Sequence, residues 1–339
     1  MKTQKQKAKE KMTAASAHAR IWSPGFWKAY WTTMRPYLIF ISGAAGLVGL
    51  ASVQEPSLFR LVLGFIPLFL SYGLGQALTD CFQMDTDALS SPYRPLIKGT
   101  IRRNEVLIIS LVGLASGILI LGLLNPVVLI FGTLAVFGLL LYAKFKRTWW
   151  GGPPWNSWIV ALLPIMGRLV GRESQGGEIF HWGGPHSLSF LLSVLAVFFA
   201  YANFVVMGYL KDISADRRTG YRTFPVVFGW KKNILYSDGL ALSAAALTGA
   251  ALCVSRQINI VGILVFALAL IINLYAQVRI HQTMDENKAH GPIAHVVRAF
   301  ILYCGSIIIT QKSHWAFFFF GFYFLFEFSL GSRPEEKQV

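Results

Sequence analysis

The chain is expected to be all-α, a polytopic membrane bundle of nine to ten transmembrane helices, and three observations lead there. Its 339 residues are 54% hydrophobic and only 14% charged, too little charge to cover a soluble protein of this length. The apolar residues come in long blocks, most of them near the ~20 residues that cross a bilayer at ~1.5 Å rise each. Lys and Arg gather in alternate connections, as the positive-inside rule requires.

Taken in order, residues 1–20 are polar and basic, and no apolar core follows them directly, so they are not a signal peptide. Residues 1–34 are expected to form a disordered or interfacial tail that meets anionic headgroups. Trp22, Phe26, Trp27, Tyr30 and Trp31 supply an aromatic belt at its end. A single transmembrane domain then covers 35–331, and 332–339 is a polar tail. Spans are expected at 37–53, 61–78, 106–124, 127–143, 157–170, 188–209, 235–254, 260–278, 294–309 and 315–330. The fifth is short and carries Pro164, which predicts a broken or tilted helix. In the third, Gly113 and Gly117 make a small-xxx-small pair that lets a neighbouring helix approach closely.

With the basic tail placed inside, the inner connections collect most of the remaining cations. The outer ones hold little beyond Arg60, Arg172, Arg256 and Lys312. Both termini are therefore expected on the cytoplasmic side of an integral membrane protein. This asymmetry accounts for the net charge of +15 without a nucleic-acid partner. Arg168 and Arg298 fall inside spans with no role that spacing reveals. Cys81, Cys253 and Cys304 form neither a metal motif nor a disulfide framework.

Two acidic stretches carry the chemistry. The first, at 79–99, reads TDCFQMDTDALSSPYRPLIKG and includes Asp80, Asp85 and Asp87. The second, at 211–229, reads KDISADRRTGYRTFPVVFG and includes Asp212 and Asp216. Each sits where an apolar segment ends, and the topology puts both on the cytoplasmic side. If the second span continues as a helix, Asp80, Gln83 and Asp87 share one face at i, i+3 and i+7. Asp212 and Asp216 share one at i, i+4. Magnesium is held by one or two carboxylates together with substrate phosphates, so facing carboxylate pairs suit Mg2+ and a diphosphate. Arg94, Lys146, Arg147 and Lys211 are placed to neutralise the phosphate charge. The prolines at 92 and 95 predict an ordered loop that holds Arg94 over the site. Asn156 is expected to cap or line the fifth span, with Gln76 and Asn203 lining a pocket just beneath the acids. Spacing alone leaves open that all of these are ordinary solvated or helix-pairing groups.

At these residues the chain resembles the UbiA superfamily of intramembrane prenyltransferases. Residues 79–99 are similar to the family's NDxxDxxxD segment with its Pro-x-Arg-Pro loop. Residues 209–229 are similar to its second aspartate motif, from the Lys-Asp start to the Gly-x-x-Thr-x-Pro-Val end, and Arg35-Pro36 fits as well. In the first motif the usual Asn falls on Thr79 and the middle Asp on Gln83, a poorer magnesium ligand than a carboxylate. The resemblance implies a central apolar cavity with its active site at the cytoplasmic end. It implies Mg2+ held by Asp80, Asp87, Asp212 and Asp216, and a prenyl diphosphate held by Arg94, Lys146 and Lys211. The prenyl group would pass to a lipophilic acceptor, often an aromatic ring or a lipid. Two other outcomes fit the same scaffold: a terpene cyclase that quenches the cation internally, and a non-catalytic isoprenoid-binding protein.

Overall fold

The computed structural model describes residues 18–172, 185–255 and 257–333. The basic residues 1–17, Arg256 and the C-terminal residues 334–339 lie outside the described residues.

Helix α1 (Pro24–Met34) starts on Ser23, whose hydroxyl accepts from the Phe26 N–H, with Pro24 in the first turn. Phe26, Tyr30 and Met34 on one side are buried, whereas Trp27 and Trp31 on the other are exposed. The aromatic segment is thus an amphipathic helix laid against the bundle. It ends at Arg35, whose φ of 52° is left-handed, and a 64° bend leads into α2 (Ile39–Ala51). Every residue of α2 is buried, so this helix runs through the middle of the fold.

Around it stand α3 (Leu58–Asp80), α5 (Arg103–Leu124), α6 (Val128–Lys146), α7 (Gly152–Gly171), α8 (Pro185–Gly208), α11 (Trp230–Val254), α12 (Ile260–Gln282), α13 (His290–Gln311) and α14 (Ala316–Gly331). Short helices α4 (Met84–Ser90), α9 (Ile213–Arg218) and α10 (Phe224–Phe228) sit in the connections after α3 and α8. Like α2, α13 is buried over nearly its whole length. In contrast, α5, α6, α11 and α12 turn residues such as Leu119, Ile130, Leu242 and Leu264 outward, as helices facing lipid do.

All ten predicted segments are helical, but nine to ten spans is more than their lengths carry. Among the described residues, seven helices are long and apolar enough to cross a membrane, or eight if the bent pair α1–α2 counts as one. On its own α2 has 13 residues and α14 has 16, about 20 and 24 Å at ~1.5 Å per residue. In α7, Pro164 lies inside the helix and Arg168 in its last turn. The architecture is that of an integral, multi-pass membrane protein.

The arginines within the spans have partners. The Arg298 guanidinium donates to both Glu327 oxygens from Nε and Nη2, at 2.8–3.1 Å, joining α13 to α14. Arg168 lies 4.4 Å from the centroid of the Phe190 ring. In the first turn of α3, Arg60 donates to the carbonyls of Leu124, Val170 and Arg172, tying off the ends of α5 and α7.

Close helix approach rests on glycine. A Cβ on Gly113 would stand 2.9 Å from Leu74 of α3, the role expected of the 113/117 pair. Between α2 and α7 the approach is backbone to backbone. A Cβ on Gly49 would stand 2.0 Å from the Pro164 carbonyl oxygen, and one on Gly167 would stand 2.4 Å from that of Gly46. Backbone cannot yield as a side chain can. Gly49→Ala and Gly167→Ala are each expected to destabilise the protein by about 1–3 kcal/mol, seen as a lower Tm in detergent. Gly239→Ala, with nothing within 4 Å of the new methyl, should leave Tm unchanged or slightly raised.

Candidate active site

The first acidic stretch does not continue the second span as one helix, so the condition for the shared face of Asp80, Gln83 and Asp87 is not met. Helix α3 stops at Asp80, and α4 begins at Met84. The Cys81 carbonyl at the break instead accepts from Arg103 Nε at 2.7 Å. Asp80 and Asp87 are brought together by Arg94, whose Nη1 pairs with Asp87 Oδ2 and lies 3.6 Å from Asp80 Oδ1. The loop 91–99 thus delivers its arginine to both acids, as its prolines predict.

The second acidic stretch folds back onto the first. After α8, a 3-10 turn over Tyr209–Lys211 leads to Asp212, directly before α9. Asp216 is fully buried; its Oδ1 accepts from Thr86 at 3.1 Å and its Oδ2 from Thr223 at 3.2 Å. Tyr221 donates to Asp85 Oδ1 at 3.0 Å, and the Arg222 N–H to the Arg147 carbonyl at 3.0 Å. The Thr86 and Tyr221 bonds join the two acidic stretches across 130 and 136 residues, and the Arg222 bond adds the end of α6 to the same end of the bundle.

The charges inside this junction are closely matched. Asp80 accepts from Arg35 Nη2 at 2.9 and 2.8 Å through both oxygens, and from Gln76 Nε2 at 2.8 Å. Lys146, 7% exposed, donates from Nζ to Gln83 Oε1 at 2.7 Å and interacts electrostatically with Asp216, Asp212 and Asp87. Burial pushes the Asp216 carboxyl up to about 6, against the pull of Lys146. Burial likewise raises Asp87, against the attraction of Arg94. Burial opposes the charge on Arg94, but Asp87 and Asp80 outweigh it and the guanidinium stays firmly protonated.

One cavity of about 810 Å3 opens beneath the junction. At its polar end Arg35, Gln76, Asp80, Gln83, Asp87, Arg94, Lys146, Asn156, Lys211 and Asp212 reach the wall. It then descends between α3, α5, α6 and α7 past Leu74, Gly113, Gly117, Gly132 and Leu163. Between these ends lies a band of hydroxyls. Asn156 donates to Tyr201 and Tyr201 to Tyr72, each at 3.3 Å, and Tyr142 and Tyr209 approach to 3.5 Å.

Most of the predicted site residues therefore meet, but Arg147 and Asn203 stand apart. Arg147 is one residue past Lys146 and so turned about 100° around the helix axis. It pairs with the half-exposed Asp85 at 2.9 Å and covers the Tyr221 ring at 4.4 Å. Asn203 is two positions beyond the cavity-lining Tyr201 and faces away from it. It accepts from Ser237 at 2.5 Å and from Gln277 at 3.4 Å, which joins α8 to α11 and α12. Asp216 lies behind the cavity wall, reached through Lys146. For Arg35 the available signal was the Arg35-Pro36 pair; Tyr72 and Tyr201 are polar groups at membrane depth for which lining a pocket and pairing across helices were both open, and they do both.

Comparison with known proteins bears on what this arrangement is. Residues 38–302 match the UbiA prenyltransferase family. The chain belongs to that family. Helix α14 lies beyond the matched region. A digeranylgeranylglyceryl phosphate synthase from Methanothrix thermoacetophila is 28% identical over 221 residues, 63% of this chain and 77% of that protein. The apo structure of a UbiA homologue from Aeropyrum pernix K1 superposes with a TM-score of 0.67 at 21% identity, covering 80% of this chain and 96% of that one. A UbiA homologue from Archaeoglobus fulgidus bound to DMAPP and Mg2+ gives a TM-score of 0.60 at 18% identity, covering 82% and 98%. These two structures share the fold.

Removing the shared cation should expose its cost. Arg94→Leu leaves Asp80 and Asp87 without their common partner and is expected to lose about 3–5 kcal/mol of stability, measured by thermal unfolding in detergent. Adding Asp87→Asn to that variant should recover part of the loss, because one stranded charge is gone.

Proposed function

We propose that this UbiA-family member ionises an allylic prenyl diphosphate with the help of Mg2+ and transfers the prenyl group to a lipophilic acceptor. The observation that carries this is the convergence of two acidic loops and four cations at the mouth of one long apolar cavity. The homologue bound to DMAPP and Mg2+ and the synthase-type relatives support the same reading. The proposed orientation places this mouth, and the N-terminus, on the cytoplasmic side, where the loop cations gather.

The donor set suits magnesium. Among the described residues no three of His, Cys, Asp and Glu group closely enough to hold a metal by themselves. Magnesium commonly takes only one or two carboxylates and completes its shell with water and substrate phosphate. Asp212 and Asp87, both on the cavity wall, are the proposed holders, with Asp216 behind them. When bound, Mg2+ supplies positive charge to the departing diphosphate. Asp80, engaged by Arg35 and Gln76, fixes the guanidinium floor of the site. Arg94, Lys146 and Lys211 bind the phosphate oxygens and stabilise the charge that develops as the C–O bond breaks. The apolar walls keep water from the allylic cation, and the rings of Tyr72, Tyr142 and Tyr201 face it with their π electrons. The acceptor then adds to the cation's first carbon and gives up its proton.

Turnover is tested with purified protein, Mg2+, prenyl diphosphates of several lengths, and either a glyceryl phosphate lipid or an aromatic acceptor. A product whose mass is the sum of prenyl and acceptor is expected. Diphosphate release without acceptor, with a cyclic hydrocarbon formed, would contradict the transfer. Asp212→Ala and Asp216→Ala should each lower turnover by about 10²-fold or more. Chelation with EDTA should abolish it, and added Mg2+ should restore it.

A further inference from the structure

A positive charge already sits between the two acidic loops. On the first loop, both oxygens of Asp80 are taken by Arg35, and one also by Gln76. Gln83 is the next group of that loop on the cavity wall. Its amide oxygen is neutral and accepts from Lys146 at 2.7 Å. Gln83 and Lys146 are 5% and 7% exposed, so the bond is sheltered from exchange with water. From there Lys146 Nζ lies 5.9 Å from the ring centroid of Tyr209 and 5.7 Å from that of Tyr221, the tyrosines on either side of Asp212 and Asp216, so it stands between the first loop and the second and acts on Asp87, Asp212 and Asp216.

This arrangement bears on how many divalent ions can bind, granted the diphosphate reading above. Four acids, Asp80, Asp87, Asp212 and Asp216, are balanced by Arg35, Arg94, Lys146 and Lys211, so no excess negative charge remains to draw in a free divalent cation. One ion at Asp87 and Asp212 is compensated by the diphosphate that arrives with it; a second between the loops would have to share the same acids with both that ion and a buried ammonium, and Coulomb repulsion at a few ångströms is strong away from bulk water.

We propose that the Lys146 ammonium, held by Gln83, permanently fills the place between the loops that a second divalent ion would take. The protein then binds one divalent cation, and only together with diphosphate. Gln83 and Lys146 thus set metal stoichiometry.

The test uses the full chain in detergent micelles, with Mn2+ standing in for Mg2+ and its electron paramagnetic resonance signal reporting the free ion. Inorganic pyrophosphate is the probe, and its own binding in Mg2+ is followed by calorimetry. Wild-type protein is expected to hold no Mn2+ at millimolar concentration without pyrophosphate and one equivalent with it. Gln83→Asp restores an anionic ligand and frees Lys146 from its amide. It should bind Mn2+ without pyrophosphate roughly tenfold more tightly than wild type and take up a second equivalent with it. Lys146→Met should likewise gain pyrophosphate-independent Mn2+ binding, so the inference does not rest on one variant folding. Two equivalents in wild type, or Mn2+ binding indifferent to pyrophosphate, would overturn it, as would unchanged stoichiometry in folded Gln83→Asp. If pyrophosphate fails to bind under any metal condition, the diphosphate reading itself fails and this inference goes with it.

Discussion

The structure depends on charge compensation inside a membrane-embedded protein. Asp80, Asp87 and Asp216 are all buried, and an isolated carboxylate there would carry a desolvation cost of several kcal/mol. Each acid therefore needs a partner, and the partners come from far along the chain. Arg35 arrives from the end of α1, Arg94 from the loop after α4, and Lys146 from the end of α6. Two uncharged threonines, Thr86 and Thr223, complete the arrangement by donating to opposite oxygens of Asp216. The acidic loops converge because leaving any one of these groups alone would be costlier than bringing them together.

The surrounding helices serve that junction. Left-handed backbone at Arg35 is unusual for a residue with a side chain; here it turns the chain from the amphipathic α1 into the buried α2. The same bend points the guanidinium at Asp80. Along α3, Tyr72, Gln76 and Asp80 recur every four residues and so share one face. That face runs from the hydroxyl band up to the charge cluster. Beneath it, the close approach of Gly113 on α5 to Leu74 on α3, both on the cavity wall, helps set the distance between the cavity's walls. The result is a site whose polar end is rigidly cross-linked and whose apolar end is shaped by small residues.

Much of this was legible in the chain. Apolar blocks located all ten helices, and loop charges placed the two acidic stretches on one side, where the structure joins them. What remained hidden has physical causes. The helix break after Asp80 leaves no Pro or Gly in TDCFQMD, because a distant side chain, Arg103, supports it. Arg147 was grouped with the site alongside Lys146, and Asn203 because it lies within a few turns of the acids, whereas helical rotation sends each to a different neighbour. Asn203 in particular satisfies its amide oxygen on Ser237 and Gln277, as a polar group between membrane helices tends to do. The pairing of Arg298 with Glu327 could not be read from either position, since it depends on α14 folding back along α13. Span number was overcounted because apolar composition marks a helix without fixing its length.

The most direct measurement is an anomalous-scattering map from crystals grown with Mn2+ and a non-hydrolysable prenyl diphosphate analogue. The account predicts diphosphate density touching Arg94 and Lys146, manganese density beside Asp87 and Asp212, and the prenyl tail running down past Tyr72 toward Leu163. Diphosphate bound away from these four residues, or a tail lying outside the cavity, would contradict it.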